Sequence, residues 1–226
     1  MSGRKMSKLR IIVNSRIGLR TFLKSAHVYS KTKAGNNGRG LSAFLVDGNT
    51  KLLLSKNINV VNMGSFWFGI DLPERFQPTE DPSLLQMLEN SKLIINGEVL
   101  IGSGASIRLY ENATLEIGNK VAIDSRSKIF CARNIKIGDN SLISWEVEIR
   151  DTDYHRVIRS GYEVSKPIEI GNHVWIGSRV TILKGVTIGG GSVVACGSVV
   201  NRSVPENCLV AGVPARIKRN NILWGK

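Results

Sequence analysis

The chain has 226 residues, 42% of them hydrophobic, with a net charge of +13 and only three cysteines. The apolar content suffices for a buried core, no run of about 18 apolar residues suggests a membrane span, and neither a zinc pattern nor an aromatic-interleaved basic motif supports nucleic-acid binding. Cys131, Cys196 and Cys208 lack metal-ligand spacing and read as reduced thiols of a cytoplasmic protein.

Residues 1–45 form a basic N-terminal segment. Ten lysines and arginines precede the first acidic residue, Asp47. Leu9, Ile12, Val13, Ile17, Leu19, Phe22 and Leu23 run among these cations. The segment reads either as a solvated tail or as a helix suited to an anionic membrane surface or a lipid-linked polyanionic substrate. Residues 1–33 are the expected membrane contact, peripheral at the inner face of the plasma membrane. No uninterrupted apolar stretch marks a secretory signal, and Ala34–Gly40 reads as a flexible break.

Residues 46–92 are expected to form irregular first coils and a short helix, which together cap a solenoid that begins at residue 93. Leu52–Leu54, Ile58–Val61 and the cluster Phe66, Trp67, Phe68 are the apolar runs of this segment. Asp81 as N-cap with Pro82 at the first helical position predicts the helix over SLLQMLEN.

From residue 93 to 205 the chain repeats in sixes. Ile170, Ile176, Ile182, Ile188, Val194 and Val200 are six apart without a slip. The fifth residue of each hexad is small or β-branched: Val174, Val180, Val186, Ser192, Ser198, Val204. Earlier triplets follow the same register, offset from each other by short insertions at the corners: Ile137, Ile143, Ile149; Ile117, Ile123, Ile129; Ile95, Ile101, Ile107. A period of six fits neither a helix face nor a simple alternating strand. It fits a short strand and a turn, three of which close a triangular coil, with coils stacked at roughly 4.8 Å. This is an all-β parallel solenoid. Ile149 and Ile170 are 21 residues apart, so one corner carries a long excursion, loop 150–167. It holds His155, one of only three histidines. A strict solenoid that breaks step at a polar loop points to that loop as the working part. Residues 206–226 are a basic tail that covers the other end.

The stretch I-x-I-G-N-H-V-W-I-G-S at 168–178, GVTIGGGSVVACGSVV at 185–200 and AGVPAR at 211–216 resembles the hexapeptide-repeat acyltransferases. Within them it looks like the sugar O-acetyltransferases related to galactoside and maltose acetyltransferases. The resemblance is strong over 137–219, weaker back to 93, and absent from 1–92. It implies a left-handed parallel β-helix, a homotrimer with sites between subunits, and acetyl-CoA as cosubstrate, with no metal expected. The implied reaction is acetyl transfer to a hydroxyl of a carbohydrate, such as a capsular or lipopolysaccharide polymer or its precursor. The basic N-terminus favours an anionic or membrane-linked acceptor. A non-sugar acceptor such as serine or a xenobiotic alcohol, and an amino-sugar nitrogen, are the alternatives. A metal hydratase of the γ-carbonic-anhydrase kind is a remote one, since it needs three histidine ligands and only His155 and His173 lie in the solenoid, and a structural solenoid is another, against which the intact DTDYH loop argues.

Acetyl transfer to a hydroxyl needs a base, and imidazole is the usual one. His155, in DTDYH, occupies the corner loop where the family places its catalytic histidine. Asp153 is the expected group to orient it, with Asp151, Glu148 or a backbone carbonyl as alternatives. Trp145 and Asp151 are the expected acceptor contacts. By resemblance the cosubstrate contacts fall on Gly177, Ser178, Cys196, Asn201, Arg202, Arg216 and Arg219. The arginines suit phosphates through their forked donors. His173 reads as structural or cosubstrate-flanking, and His27 as incidental.

Overall fold

A computed structural model describes residues 19–30, 44–62, 64–70 and 79–225. The expected apolar side at Leu9–Ile17 and the flexible break at Ala34–Gly40 lie outside the described residues. The described chain opens with helix α1 (Leu19–Tyr29) and then winds through short strands. The circuit begins with β1 (Phe44–Val46), β2 (Lys51–Leu54) and β3 (Asn59–Asn62). It repeats as β4 (Phe66–Phe68), β5 (Leu84–Met87), β6 (Lys92–Ile95), then β7 (Val99–Ile101), β8 (Ser106–Leu109), β9 (Thr114–Ile117). Next come β10 (Val121–Ile123), β11 (Lys128–Cys131), β12 (Asn134–Ile137), and β13 (Leu142–Ile143), β14 (Glu148–Arg150), β15 (Ile168–Ile170). The last coils are β16 (Trp175–Ile176), β17 (Thr181–Ile182), β18 (Thr187–Ile188), and β19 (Val193–Val194), β20 (Val199–Val200). The chain closes with a terminal hairpin, β21 (Leu209–Gly212) and β22 (Ala215–Arg219).

Every third strand joins the same sheet, so three parallel sheets form the faces of a prism. Face 1 runs from β1 through β4 to β19, β21 and β22; face 2 from β2 to β20; face 3 from β3 to β18. The hexad isoleucines stack as three internal columns. Ile95, Ile117, Ile137, Ile170 and Ile188 line face 3. Ile101, Ile123, Ile143, Ile176 and Val194 line face 1. Ile107, Ile129, Ile149, Ile182 and Val200 line face 2. All are buried, as are the fifth-position residues Val174, Val180, Val186, Ser192, Ser198 and Val204. Each buried isoleucine contributes roughly 1.5–3 kcal/mol, so the columns are the main cohesive element.

The coils start earlier and more regularly than the sequence suggests. Phe66 and Phe68 are core residues on β4, which pairs with both β1 and β7. The segment read as a helix is strand β5. Leu85 and Met87 point inward because they lie beside Ile107 and Leu109 of β8. Asp81 caps no helix; its carboxylate accepts from Arg126 Nε at 2.7 Å.

The prism's ends are covered, which protects unpaired strand edges. At the first end α1 buries Val28, Ser25 Oγ accepts from the Val46 N–H at 2.9 Å, and Lys24 Nζ donates to the Gly48 carbonyl at 2.8 Å. At the other end the antiparallel pair β21–β22 puts exposed Arg216, Lys218 and Arg219 on the outermost strand. Among the described residues no helix is long and apolar enough to cross a membrane.

Candidate active site

The excursion leaves the corner between faces 2 and 3 after β14 and returns at β15. Its two feet are zipped together. The Lys166 N–H donates to the Asp151 carbonyl at 2.9 Å and the Asp153 N–H to the Val164 carbonyl at 3.0 Å, flanking an antiparallel bridge between Thr152 and Ser165. Arg133 reaches Glu163 at 3.3 Å, and Lys166 reaches the same carboxylate at 3.2 Å.

Asp151 is fully buried and does not face an acceptor, contrary to expectation. Its Oδ1 accepts from the Ala132 N–H at 2.6 Å, and its Oδ2 from the Arg133 and Asn134 N–H groups at 2.8 Å each. Burial pushes its carboxyl above the usual range against these three donors. It anchors the loop to the corner below, where buried Cys131 also lies.

Asp153 does not hold the His155 ring. Its carboxylate accepts from Tyr162 Oη and pairs with Lys184 Nζ at 2.5 Å. Burial opposes its charge, but hydrogen bonds from Lys184 and Tyr162 and the charges of Lys184 and Arg150 hold the carboxyl below the usual range. Lys184 lies over the Tyr162 ring, 4.1 Å from its centroid, and donates to the Glu163 carbonyl at 2.5 Å. Tyr162 Oη also lies 3.3 Å from the His155 carbonyl oxygen. Asp153, Tyr162 and Lys184 therefore clamp the loop onto the solenoid. Glu148, the other acidic candidate, is paired with Arg150. His155 itself is exposed, and its ring has no hydrogen-bond partner among the described residues.

Residues that sequence reasoning missed surround the base of the loop. Lys184 gave no signal, because an outward lysine in a hexad is ordinary. Tyr154 stacks edge-on against Phe130 and Tyr110, with centroids 6.0 and 5.5 Å apart, and its hydroxyl lies 2.9 Å from that of Tyr110.

The expected cosubstrate residues occupy two edges and the hairpin. Gly177, Ser178 and Cys196 lie at the corner of faces 1 and 2, where the Gly197 N–H donates to the Ser178 carbonyl at 2.9 Å. A Cβ on Gly177 would sit 2.7 Å from the Cys196 nitrogen, so this glycine serves the packing of one coil on the next. A Cβ on Gly197 would meet nothing within 4 Å, so the corner is open beside Ser178 and exposed Cys196. Asn201 and Arg202 are exposed at the corner of faces 2 and 3, the edge that bears His155. The two edges are separated by residues 197–201, which include β20, roughly 15 Å of extended chain. Trp145 is half-buried on the Ser178 edge, where its carbonyl accepts from the Arg179 N–H at 3.1 Å. One chain therefore does not bring Trp145 or Ser178 to His155.

His173 stacks on Trp224, with centroids 4.0 Å apart and planes 2° from parallel. Its Nε2 lies 3.1 Å from the Trp224 carbonyl oxygen, and Trp224 Nε1 donates to the His173 carbonyl at 3.1 Å. It fastens the tail to the solenoid. His27 lies exposed in the last turn of α1. Among the described residues no three His, Cys, Asp or Glu side chains converge as a metal site.

Residues 167–202 match the family described as bacterial transferase hexapeptide (six repeats). An uncharacterized 24.8 kDa protein of the cps region of Klebsiella pneumoniae is 40% identical over 147 residues, covering 63% of this chain and 64% of that protein. The polysialic acid O-acetyltransferase of Escherichia coli O1:K1 / APEC is 34% identical over 142 residues, covering 61% of this chain and 43% of that enzyme. Among solved structures, the polysialic acid O-acetyltransferase OatWY superposes with a TM-score of 0.59 at 28% identity, over 79% of this chain and 88% of that one. The chain spans less than two thirds of the length of these curated relatives.

Proposed function

We propose that this chain, which carries the bacterial transferase hexapeptide repeat over residues 167–202, is an acetyl-CoA-dependent O-acetyltransferase acting on a hydroxyl of a carbohydrate, in a capsular or other surface polysaccharide or its precursor. The carrying observation is the longest break in the six-residue step, the 21 residues between Ile149 and Ile170. There an exposed histidine is projected on a loop that Asp151 anchors and Lys184 clamps. The relatives named as polysialic acid O-acetyltransferases support the reaction class and an acidic polymer as acceptor.

In this reading His155 is the general base. Its ring nitrogen takes the proton as the acceptor O–H bond breaks and the oxygen bonds to the acetyl carbon, and it returns the proton to the departing sulfur. Acetyl-CoA supplies the acetyl group as a thioester. The open corner at Gly197 with Ser178 and Cys196, and the exposed cations Arg202, Arg216 and Arg219, suit a long cosubstrate with a phosphate end. Asn201 lies at the same corner as Arg202.

A homotrimer is part of the proposal. The Ser178–Trp145 edge of one copy, set against the His155 edge of the next, unites groups that a single chain keeps apart, and cyclic closure suits a three-sided prism. The basic N-terminus is proposed to hold the enzyme at the inner face of the plasma membrane, in the cytoplasm. Phe22 and Leu23 of α1, 51% and 56% exposed, lie among its cations.

The test is a screen of neutral and acidic polysaccharides with acetyl-CoA, reading free thiol and product mass. Acetyl-ester formation on a carbohydrate is the expected result. Acetylation confined to amines or to non-sugar alcohols would overturn the reading.

A further inference from the structure

We infer that the outer side of face 2 below His155 is a subsite for a carboxylated sugar residue, with Arg108 as the carboxylate-reading group and Tyr154 as the stacking surface. The inference rests on the carbohydrate-acetyltransferase reading and adds the place and chemistry of acceptor recognition.

The geometry begins with strand register. Arg108 of β8, Phe130 of β11 and Arg150 of β14 lie directly opposite one another on successive coils. Alternation along each strand turns all three outward, since Ile107, Ile129 and Ile149 turn in. Both guanidinium groups flank the Phe130 ring, at 5.8 and 5.9 Å from its centroid. The two cations are therefore two coil spacings apart, about 10 Å.

Their charges are not balanced alike. Arg150 is paired with Glu148. Arg108 has no carboxylate partner among the described residues, and its Nε is buried without a hydrogen-bond partner. The buried Nε is closed to an outside ligand, so an acceptor carboxylate meets the outer edge of the guanidinium, whose forked donors match its two oxygens.

Tyr154 supplies a second, independent observation. Its ring lies edge-on against Phe130 and Tyr110 and is 42% exposed. An aromatic ring exposed beside a cation is a surface on which the C–H side of a sugar can pack. Tyr154 immediately precedes His155 in the chain, so the subsite adjoins the loop that carries the base.

Isothermal titration tests the subsite without requiring turnover. The probes are a hexuronate oligomer and a nonulosonate oligomer, each with its carboxyl-reduced counterpart. At least one carboxylated oligomer is expected to bind the wild-type protein more tightly than its reduced form. Arg108→Gln is expected to weaken that oligomer about ten- to a hundredfold and to affect the reduced form much less. Arg108→Lys, which keeps the charge without the fork, recovers only part of the loss. Tyr154→Leu is expected to weaken both forms. Equal losses for carboxylated and reduced oligomers in Arg108→Gln, or a wild-type protein that prefers neither carboxylated oligomer, would overturn the subsite. Wild-type protein that binds with this selectivity but transfers no acetyl would leave the subsite standing and refute the acetyltransferase reading. Melting curves of all variants separate lost recognition from lost folding. Were Arg108→Gln to melt early, Arg108→Lys would carry the comparison.

Discussion

Lys184, just past β17, places its ammonium 2.5 Å from the Asp153 carboxylate in the excursion that carries His155. The pair ties the excursion to the rigid coil above it. Lys184→Met is expected to lower kcat about tenfold or more, because misplacing a catalytic group by about 1 Å can cost up to a hundredfold. The same change should speed tryptic cleavage at Arg156 and Arg159 and leave global melting nearly unchanged. Cleavage and turnover both at wild-type levels would remove the clamp from the account.

The clamp also predicts a pH dependence. Burial opposes both charges, yet the hydrogen bonds that Asp153 and Lys184 make to each other and to Tyr162 hold the carboxyl below its usual range and the ammonium above its own. A lowered carboxyl gives stability that is complete above its unfolded pKa and is lost as pH falls through the lowered value. A raised ammonium gives stability that is complete below its unfolded pKa and is lost as pH rises through the raised value. Amide protection across residues 151–167 should therefore be flat through neutrality and fall in acid, below the ordinary carboxylate pKa of about 4. Protection that falls near neutral pH would contradict the pairing.

Asp151 should matter to stability rather than to acceptor affinity. Asp151→Asn can keep its amide oxygen on the Arg133 and Asn134 N–H groups but then turns its NH2 toward the Ala132 N–H, leaving that buried donor unmet. A loss of about 1–3 kcal/mol in chemical unfolding is expected, the cost of one unmet donor. An unchanged unfolding midpoint together with a raised acceptor KM would restore Asp151 to the binding site.

Two glycines on one edge separate packing from openness. Gly177→Ala drives a Cβ to 2.7 Å from the Cys196 backbone and should destabilise the late coils. Gly197→Ala meets no atom within 4 Å but sits at φ +68°, so only backbone strain of about 1–2 kcal/mol is expected. Thermal unfolding of the two variants checks the order; a larger loss at Gly197 would reverse it.

Much of the fold was legible because one physical period dominates it. The isoleucines at six-residue spacing needed no tertiary information, and the columns they form result directly from it. Leu85 and Met87 were misread as helical because Asp81-Pro82 imitates a cap and LLQM has no decisive period. Only their register beside Ile107 and Leu109 makes them strand. His155 was legible as the polar exception in a regular array. The division of labour between Asp151 and Asp153 was not, because DTDYH contains nothing about the donors of Ala132–Asn134 one coil below or about Lys184 one coil above. Tyr110, Phe130 and Tyr154 are scattered along the sequence and meet only when the coils stack.

The hairpin arginines carry the cosubstrate part of the proposal. Arg216→Ala with Arg219→Ala should weaken CoA more than dephospho-CoA in calorimetry, since charge-assisted bonds to phosphate are what is removed. Equal losses for both ligands would show that these arginines do not read the phosphate.

The central claim, that His155 is the base for acetyl transfer to a sugar hydroxyl, is tested most directly by the turnover of His155→Ala on the best acceptor from the polysaccharide screen. Because the side chain is exposed, melting and assembly should match the wild type while kcat falls by roughly two to four orders of magnitude. Turnover within a few-fold of wild type, in protein that melts and assembles normally, would contradict it.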